Sequence, residues 1–300
     1  MNGTKKNMGC DLSIIIPARD ENDQKLRQLL RSIQNQDFDE YEMEALVITE
    51  GTSESAKAIG IRRAQGQVVG FLASDNELVH PKTLKVYYEA ARELGSASPA
   101  YYFYSPHDDV LNRYFSLIGG NDPLSFYMRK NDRGSYMGHE GNPSGTIGDN
   151  GFFIVKSLLE DTDLDHYYHI DNALEACGRT NHIVNANIWH HTGGNIFKFF
   201  YKRYCYGLQH AFNKDRRWHL VDFNKPKDIW RLIWFVLITL TLVEPLMLSL
   251  RGYRKVQDVA WFIHPVACFF TLVTYTILMT HLAIRKLFQS LFAHTEDRRA

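Results

Sequence analysis

Short apolar runs that stop abruptly at polar residues alternate with helically spaced apolar positions over the first hundred residues of the chain. Leu12-Ser13-Ile14-Ile15-Ile16 is broken by Pro17-Ala18-Arg19-Asp20-Glu21, and Val68-Val69-Gly70-Phe71-Leu72 runs straight into Ala73-Ser74-Asp75-Asn76-Glu77. Short β-branched runs of this kind read as buried parallel strands. Between them, Leu26, Leu29, Leu30 and Ile33 recur at helical spacing and predict a helix over 24–36 that packs on a sheet. A second strand is expected over 43–49. A helix should follow over 53–65, with Thr52 or Ser53 as N-cap and Gly66 at its end. Pro81 lies near the first turn of a further helix over 81–94. Strand and helix in alternation predict an α/β domain with a mostly parallel, doubly wound sheet. Ligands of such sheets sit beyond the carboxyl ends of the strands. Both apolar runs deliver polar residues to that edge, which makes it the candidate active site.

The pattern changes further along. Residues 101–149 are irregular and aromatic, and 134–151 is rich in glycine (Gly138, Gly141, Gly145, Gly148), as expected of an acceptor-binding lid or of a disordered segment. From Ile196 the chain alternates Phe197, Phe199, Phe200, Tyr201, Tyr204 and Tyr206 with Lys198, Lys202 and Arg203, the composition of an interfacial helix. Two apolar spans follow. Residues 232–250 are uncharged apart from Glu244, and 259–284 contain no Asp, Glu, Lys or Arg, so each is long enough to cross a bilayer as a helix. Glu244 inside the first span is costly there and is expected to pair with His264 or to lie near the interface.

Charge separates the same two regions. The formal net charge is zero, yet Ile196 onward carries 16 Lys and Arg against 7 Asp and Glu, and the residues before it carry 18 against 27. An acidic front and a basic, aromatic rear suggest a soluble domain on a membrane-facing tail. Basic residues before 232 and after 284 favour a hairpin with both ends cytosolic, although Arg251, Arg254 and Lys255 between the spans oppose that assignment, and a re-entrant or in-plane arrangement is the alternative. Cys10, Cys177, Cys205 and Cys268 form no metal or disulfide framework, and no signal-peptide core precedes Leu12, so a cytosolic catalytic domain is expected.

The order of motifs resembles the GT-A domain of a family 2 glycosyltransferase with C-terminal transmembrane helices. Ser13 to Glu21 resembles the family's opening strand and loop. Ala45-Leu46-Val47-Ile48-Thr49-Glu50 resembles its second strand, with Glu50 where an Asp usually contacts the base. Phe71-Leu72-Ala73-Ser74-Asp75-Asn76 resembles its DxD segment, with Ala73 in place of the first Asp, so that Glu77 or water stands in for that carboxylate or an ion is held weakly. The resemblance implies Pro17, Ala18, Arg19, Glu21, Glu50 and Ser74 around the nucleotide, with Arg19 and Arg63 available to phosphate. It implies Asp75, with His190 or His191, on a Mg2+ or Mn2+ ion bridging the donor diphosphate. The same residues also suit ordinary turn and capping chemistry. Gly148-Asp149-Asn150-Gly151-Phe152-Phe153-Ile154-Val155 resembles the strand beneath the sugar, with Asp149 and Asn150 on its hydroxyls. Asp171 falls at the family's catalytic base, with Ile170 replacing the neighbouring Glu. Arg217 and Trp218, in Lys214-Asp215-Arg216-Arg217-Trp218, stand at an acceptor motif whose Gln is replaced by Lys214.

The expected organisation is therefore a GT-A domain over 1–195, an amphipathic interfacial segment over 196–228, and a two-helix membrane hairpin with a short tail over 229–300. The expected activity is inverting transfer of a sugar from a nucleotide-diphosphate donor to a lipid-linked or glycan acceptor at the cell membrane, with no nucleic acid involved. Two rivals remain at this point: a polyprenyl-phosphate sugar synthase, and a catalytically silent nucleotide-binding scaffold, which Ala73 and Ile170 favour.

Overall fold

The computed structural model describes residues 9–99, 102–118, 123–128, 150–160, 162, 182–191, 194–212, 221 and 223–296. They fall into two compact units. The first is built from the chain up to Ser105 together with the part that ends near Thr192; the second combines Pro106–Lys130 with the chain from Gly193 onward.

The first unit is a three-layer α/β fold. β1 (Leu12–Pro17), β2 (Met43–Ile48) and β3 (Val68–Phe71) pair in parallel, with β1 in the middle. Alternation along β1 sets the layers. Leu12, Ile14 and Ile16 pack with Leu26, Leu29 and Ile33 of α1 (Gln24–Gln34) and with Leu84, Tyr87 and Tyr88 of α3 (Thr83–Leu94). Ile15 points the other way, to Ala58 and Ile61 of α2 (Ser53–Arg63) and to Val69 and Phe71. Local chemistry starts the helices where expected: Asp23 accepts from Lys25 N, and Thr52 and Ser55 form a reciprocal capping box.

The sheet continues through β6 (Phe152–Val155), β5 (Ser96–Pro99) and β7 (Ile183–Val184), giving the order β2-β1-β3-β6-β5-β7. Five of these six strands run one way, so the sheet is mostly parallel. β6 is the exception, antiparallel to both β3 and β5. That reversal positions the site, because the start of β6, rather than its end, lies at the carboxyl edge of β1, β3 and β5. The acidic segment after β3 is not simply a loop. Asn76–Leu78 forms a short strand, β4, antiparallel to β8 (Ile188–His190). The buried Tyr87 hydroxyl donates to Ala186 O at 2.5 Å and ties α3 to the approach of β8; burial raises its pKa well above the usual phenol value, so it remains a donor.

The second unit is helical. α4 (Val110–Leu117), α6 (Ile196–Phe212) and α9 (His264–Glu296) share a core of Leu111, Tyr114, Phe115, Phe200 and Ala267. α5 (Pro123–Met128), α7 (Pro226–Thr241) and α9 share another, of Leu124, Met128, Phe235 and Cys268. The helix expected at 196–206 is present and longer, and it buries Phe200 while leaving Phe197 and Tyr201 exposed.

The expected pair of transmembrane helices is corrected. Among the described residues, one stretch of helix, Val259–Gln289, is long and apolar enough to cross a membrane, whereas the span at 232–250 is broken. α7 stops at Thr241, Leu242 takes a left-handed conformation (φ 58°), and α8 (Val243–Lys255) leaves at 82°. The sequence supplies the cause: Pro245 has no N–H for the Thr241 carbonyl and its ring excludes a continuous helix at that point, yet it is well accommodated in the first turn of α8. Glu244 is met by the Tyr127 hydroxyl, which lies 3.0 Å from His264 Nε2, and the Tyr114 hydroxyl lies 2.9 Å from His264 Nδ1. The pairing expected between Glu244 and His264 thus runs through Tyr127. One proton arrangement satisfies all four groups: both hydroxyls donate, to Glu244 and to Nδ1, and Nε2–H donates to Tyr127.

Candidate functional site

The carboxyl edge of the first unit gathers the polar residues that β1, β3 and the start of β6 deliver. After β1, Ala18 N donates to Ile48 O at 3.0 Å, which holds the Pro17-Ala18 turn against the end of β2. Arg19 and Glu21 follow it into solvent. Beyond β2, Glu50 forms an ion pair with Arg63 at 3.0 Å, with the two side chains 61 % and 52 % exposed. The residue expected at the base and an arginine expected at phosphate are therefore partners of one another. An exposed pair of this kind is weak enough for a ligand to displace.

Asp75 stands at the centre. β4 and β8 pair Asn76 with His190, and that register brings His190 Nε2 to 3.5 Å from Asp75 Oδ1. His191 N donates to the Asp75 carbonyl at 2.9 Å, which fixes the loop from below. The next residues repeat the arrangement: His191 Nε2 lies 2.9 Å from Glu77 Oε2, and Lys25 Nζ donates to His191 O at 2.6 Å. Glu77 is thus committed to His191 rather than standing in for the carboxylate missing at Ala73. Ser74 is half-buried in the same turn.

Beneath the Asp75–His190 pair runs a line of amides. Asn76 is fully buried. Its Oδ1 accepts from Ala73 N at 2.8 Å, and its Nδ2 donates to Asn150 Oδ1 at 3.1 Å. Asn150 Nδ2 in turn donates to the Tyr102 hydroxyl at 2.9 Å, and the Tyr102 ring lies 5.1 Å from that of His190. The antiparallel sense of β6 puts Asn150 here: Gly151 N donates to Phe71 O at 2.9 Å, so the residue before it faces the turn after β3. Gly151 adopts φ 89°, where any other side chain is strained, and a Cβ at that position would stand 2.3 Å from Ile188 Cδ1, which would have to turn aside.

Of the residues expected from sequence, the structure brings together Asp75, His190 and Asn150, and sets Pro17, Ala18 and Glu50 at the ends of neighbouring strands. Asp149, Asp171, Arg217 and Trp218 lie outside the described residues. Sequence reasoning missed Tyr102 and Lys25 and gave Asn76 no structural role. No local signal marks Tyr102, which sits in an irregular aromatic stretch; the signal for Asn76 was its place directly after Asp75.

A carboxylate oxygen and an imidazole nitrogen 3.5 Å apart suit two adjacent ligands of one divalent ion. Among the described residues no group of three or more His, Cys, Asp or Glu gathers to hold a metal. Two such groups are fewer than a metal centre needs, so an ion here would have to take its other ligands from a bound phosphate and from water.

No family model matches this chain, and no curated protein matches it. Solved structures with a related course of the backbone include the mannosyltransferase PcManGT from Pyrobaculum calidifontis, in complex with GDP-Man and Mn2+. It is 14% identical, with a TM-score of 0.44 over 93% of this chain and 81% of that one. They also include S. aureus TarS, at 13% identity and a TM-score of 0.38 over 67% of this chain. The chain spans 39% of the length of TarS. The 1–349 portion of TarS in complex with UDP-GlcNAc gives 14% and 0.39, over 66% of each chain. At TM-scores below 0.5 these likenesses carry nothing for the present chain, and the ligands belong to the proteins they were solved with.

Proposed function

We propose that this protein is a membrane-bound, metal-dependent, inverting glycosyltransferase that moves a sugar from a nucleotide-diphosphate donor to a lipid-linked or glycan acceptor. The observation that carries this reading is the Asp75–His190 pair, held by the β4–β8 register at the carboxyl edge of the sheet. Asp75 and His190 would hold Mg2+ or Mn2+, which supplies neutralisation of the charge building on the leaving nucleotide. Pro17, Ala18, Arg19, Glu21, Glu50 and Ser74 would border the nucleoside and its phosphates. Asn150, oriented by Asn76 and Tyr102, would meet the sugar with Asp149 beside it.

In this reading Asp171 takes the proton from the acceptor hydroxyl as its oxygen bonds to the anomeric carbon. The bond from that carbon to the donor phosphate breaks on the opposite side, so the configuration inverts and a nucleoside diphosphate leaves. Arg217 and Trp218 would border the acceptor. The second unit would hold the enzyme at the cell membrane with the catalytic unit in the cytosol. One helix there has the length and composition to cross.

A donor screen by thermal shift, with and without Mn2+, tests the proposal. One nucleotide sugar should raise the midpoint, and most of the gain should require the ion, because ligand that binds only the folded state stabilises it. Absence of any shift with every donor, on folded protein, would remove the transferase reading. Asp171→Asn should then abolish transfer while leaving the donor-dependent shift in place.

A further inference from the structure

We propose that α7 and α8 form a re-entrant wedge, which enters one leaflet of the bilayer and returns to the side it came from. The inference deepens the membrane attachment proposed above and rests on it. Its basis is the 82° bend at Leu242 and the way apolar and basic residues are distributed around that bend.

The outer face of each arm is a helical stripe. On α7 the exposed residues are Trp230, Ile233, Trp234, Leu237 and Leu240; on α8 they are Val243, Leu246, Met247 and Leu250. Exposure is high at both extremes, 70% at Trp230 and 64% at Val243. The apex is wholly apolar apart from Thr241 and Glu244. Glu244 does not face outward with Val243, because its carboxylate is received by the Tyr127 hydroxyl inside the unit. An acidic residue can therefore stand beside the apex without meeting lipid.

Arm length decides between a crossing and a wedge. The uncharged stretch of α7, 232–241, is ten residues and about 15 Å long, and α8 over 243–250, charged only at Glu244, is eight residues and about 12 Å. One leaflet of hydrocarbon is about 15 Å thick, half of the roughly 30 Å core. Set at 82° to one another, the two arms cannot both stand upright, so each reaches no deeper than one leaflet and neither crosses the bilayer alone.

Charge decides the sidedness. Both feet are net basic: Lys225 precedes α7 and Lys227 lies in its first turn, where Asp228 is met by Arg231, and Arg251, Arg254 and Lys255 end α8. Tryptophans at the foot of α7 and Tyr253 at the foot of α8 lie where aromatic residues favour the headgroup boundary. A broken span would send one basic foot across the membrane. A wedge leaves both on the cytosolic side, among anionic headgroups.

The test labels the full chain in sealed inside-out and right-side-out vesicles from expressing cells. The variants are Lys227→Cys, Arg254→Cys and Val243→Cys, with Lys225→Cys and Lys255→Cys as a second pair of feet. A membrane-impermeant maleimide is read peptide by peptide, so the native cysteines stay in place. The expected result is that both feet label from the same face of the membrane and neither from the other. Val243→Cys should label from neither face until detergent is added. Feet that label from opposite faces overturn the wedge and leave membrane attachment standing. Labelling of Val243→Cys together with the feet overturns it in favour of helices lying flat on the surface. A chain that fails to float with vesicles, or that covers this face with a second copy in solution, overturns the wedge and the attachment together.

Discussion

Asp75 immediately precedes β4 and His190 ends β8, so both stand at one end of a short ribbon, and this makes their contribution separable from folding. Asp75→Asn retains the shape of the side chain and removes its charge, so the Mn2+-dependent part of any donor-induced thermal shift should vanish. The midpoint without ligand should stay close to that of the parent, since both side chains are partly exposed, 24% and 17%. Equal Mn2+ dependence in parent and variant would take Asp75 out of the metal site. Asn76 is a contrasting case. It is completely buried and bridges Ala73 N to Asn150. Asn76→Ala leaves Ala73 N and Asn150 Oδ1, both half-buried, without this partner and should cost about 1–3 kcal/mol in urea unfolding. Glu50 tests the nucleotide end in the opposite sense. Its exposed pair with Arg63 contributes about 0–1 kcal/mol. Glu50→Gln should therefore leave unfolding nearly unchanged while raising the donor KM, and an unchanged KM would show that Glu50 does not meet the base.

At the scale of elements, those with strong local periodicity were legible in the sequence. The strands at Leu12 and Val68, the stripe of Leu26, Leu29 and Ile33, and the Thr52 cap all fall where expected, because each is set by neighbours within one or two turns. What the sequence left open are pairings between distant segments. Phe152-Phe153-Ile154-Val155 has a strand's composition, but nothing in it says which way the strand runs, and only its antiparallel sense brings Asn150 beside Asn76. The pairing of β4 with β8 likewise joins residues more than a hundred positions apart. The break at Leu242 was present in the sequence as Pro245, yet average hydropathy over the span conceals it. Gly151 concentrates these long-range demands at one backbone position. Gly151→Ala would require a left-handed alanine with its Cβ against Ile188, two residues from His190. The expected cost is about 2 kcal/mol or more, with the Asp75–His190 spacing disturbed as well. Urea unfolding together with the Mn2+-dependent donor shift measures both. A variant as stable as the parent would mean that β8 relaxes away from β6 freely.

Over the whole molecule, the zero net charge is the sum of an acidic front, −9, and a basic rear, +9, divided at Ile196. A chain divided in this way should bind bilayers through two separable contributions. The basic residues near a surface of anionic lipid add about 1 kcal/mol each at low salt, and this part fades as the Debye length shortens. The apolar surface, including the exposed stripes of α7 and α8, is insensitive to screening and persists in salt. Flotation of the full chain with vesicles should therefore be stronger on anionic than on zwitterionic lipid in dilute buffer. Raising the salt should reduce the difference between the two lipids while a common residual binding remains. Replacing Trp234 and Leu237 on α7 by Ser should act on the residual part and spare the salt-dependent part. Binding that disappears entirely in high salt would show that the rear half attaches by charge alone. The apolar stripes would then need another occupant, and the protein would sit on the membrane surface rather than in it.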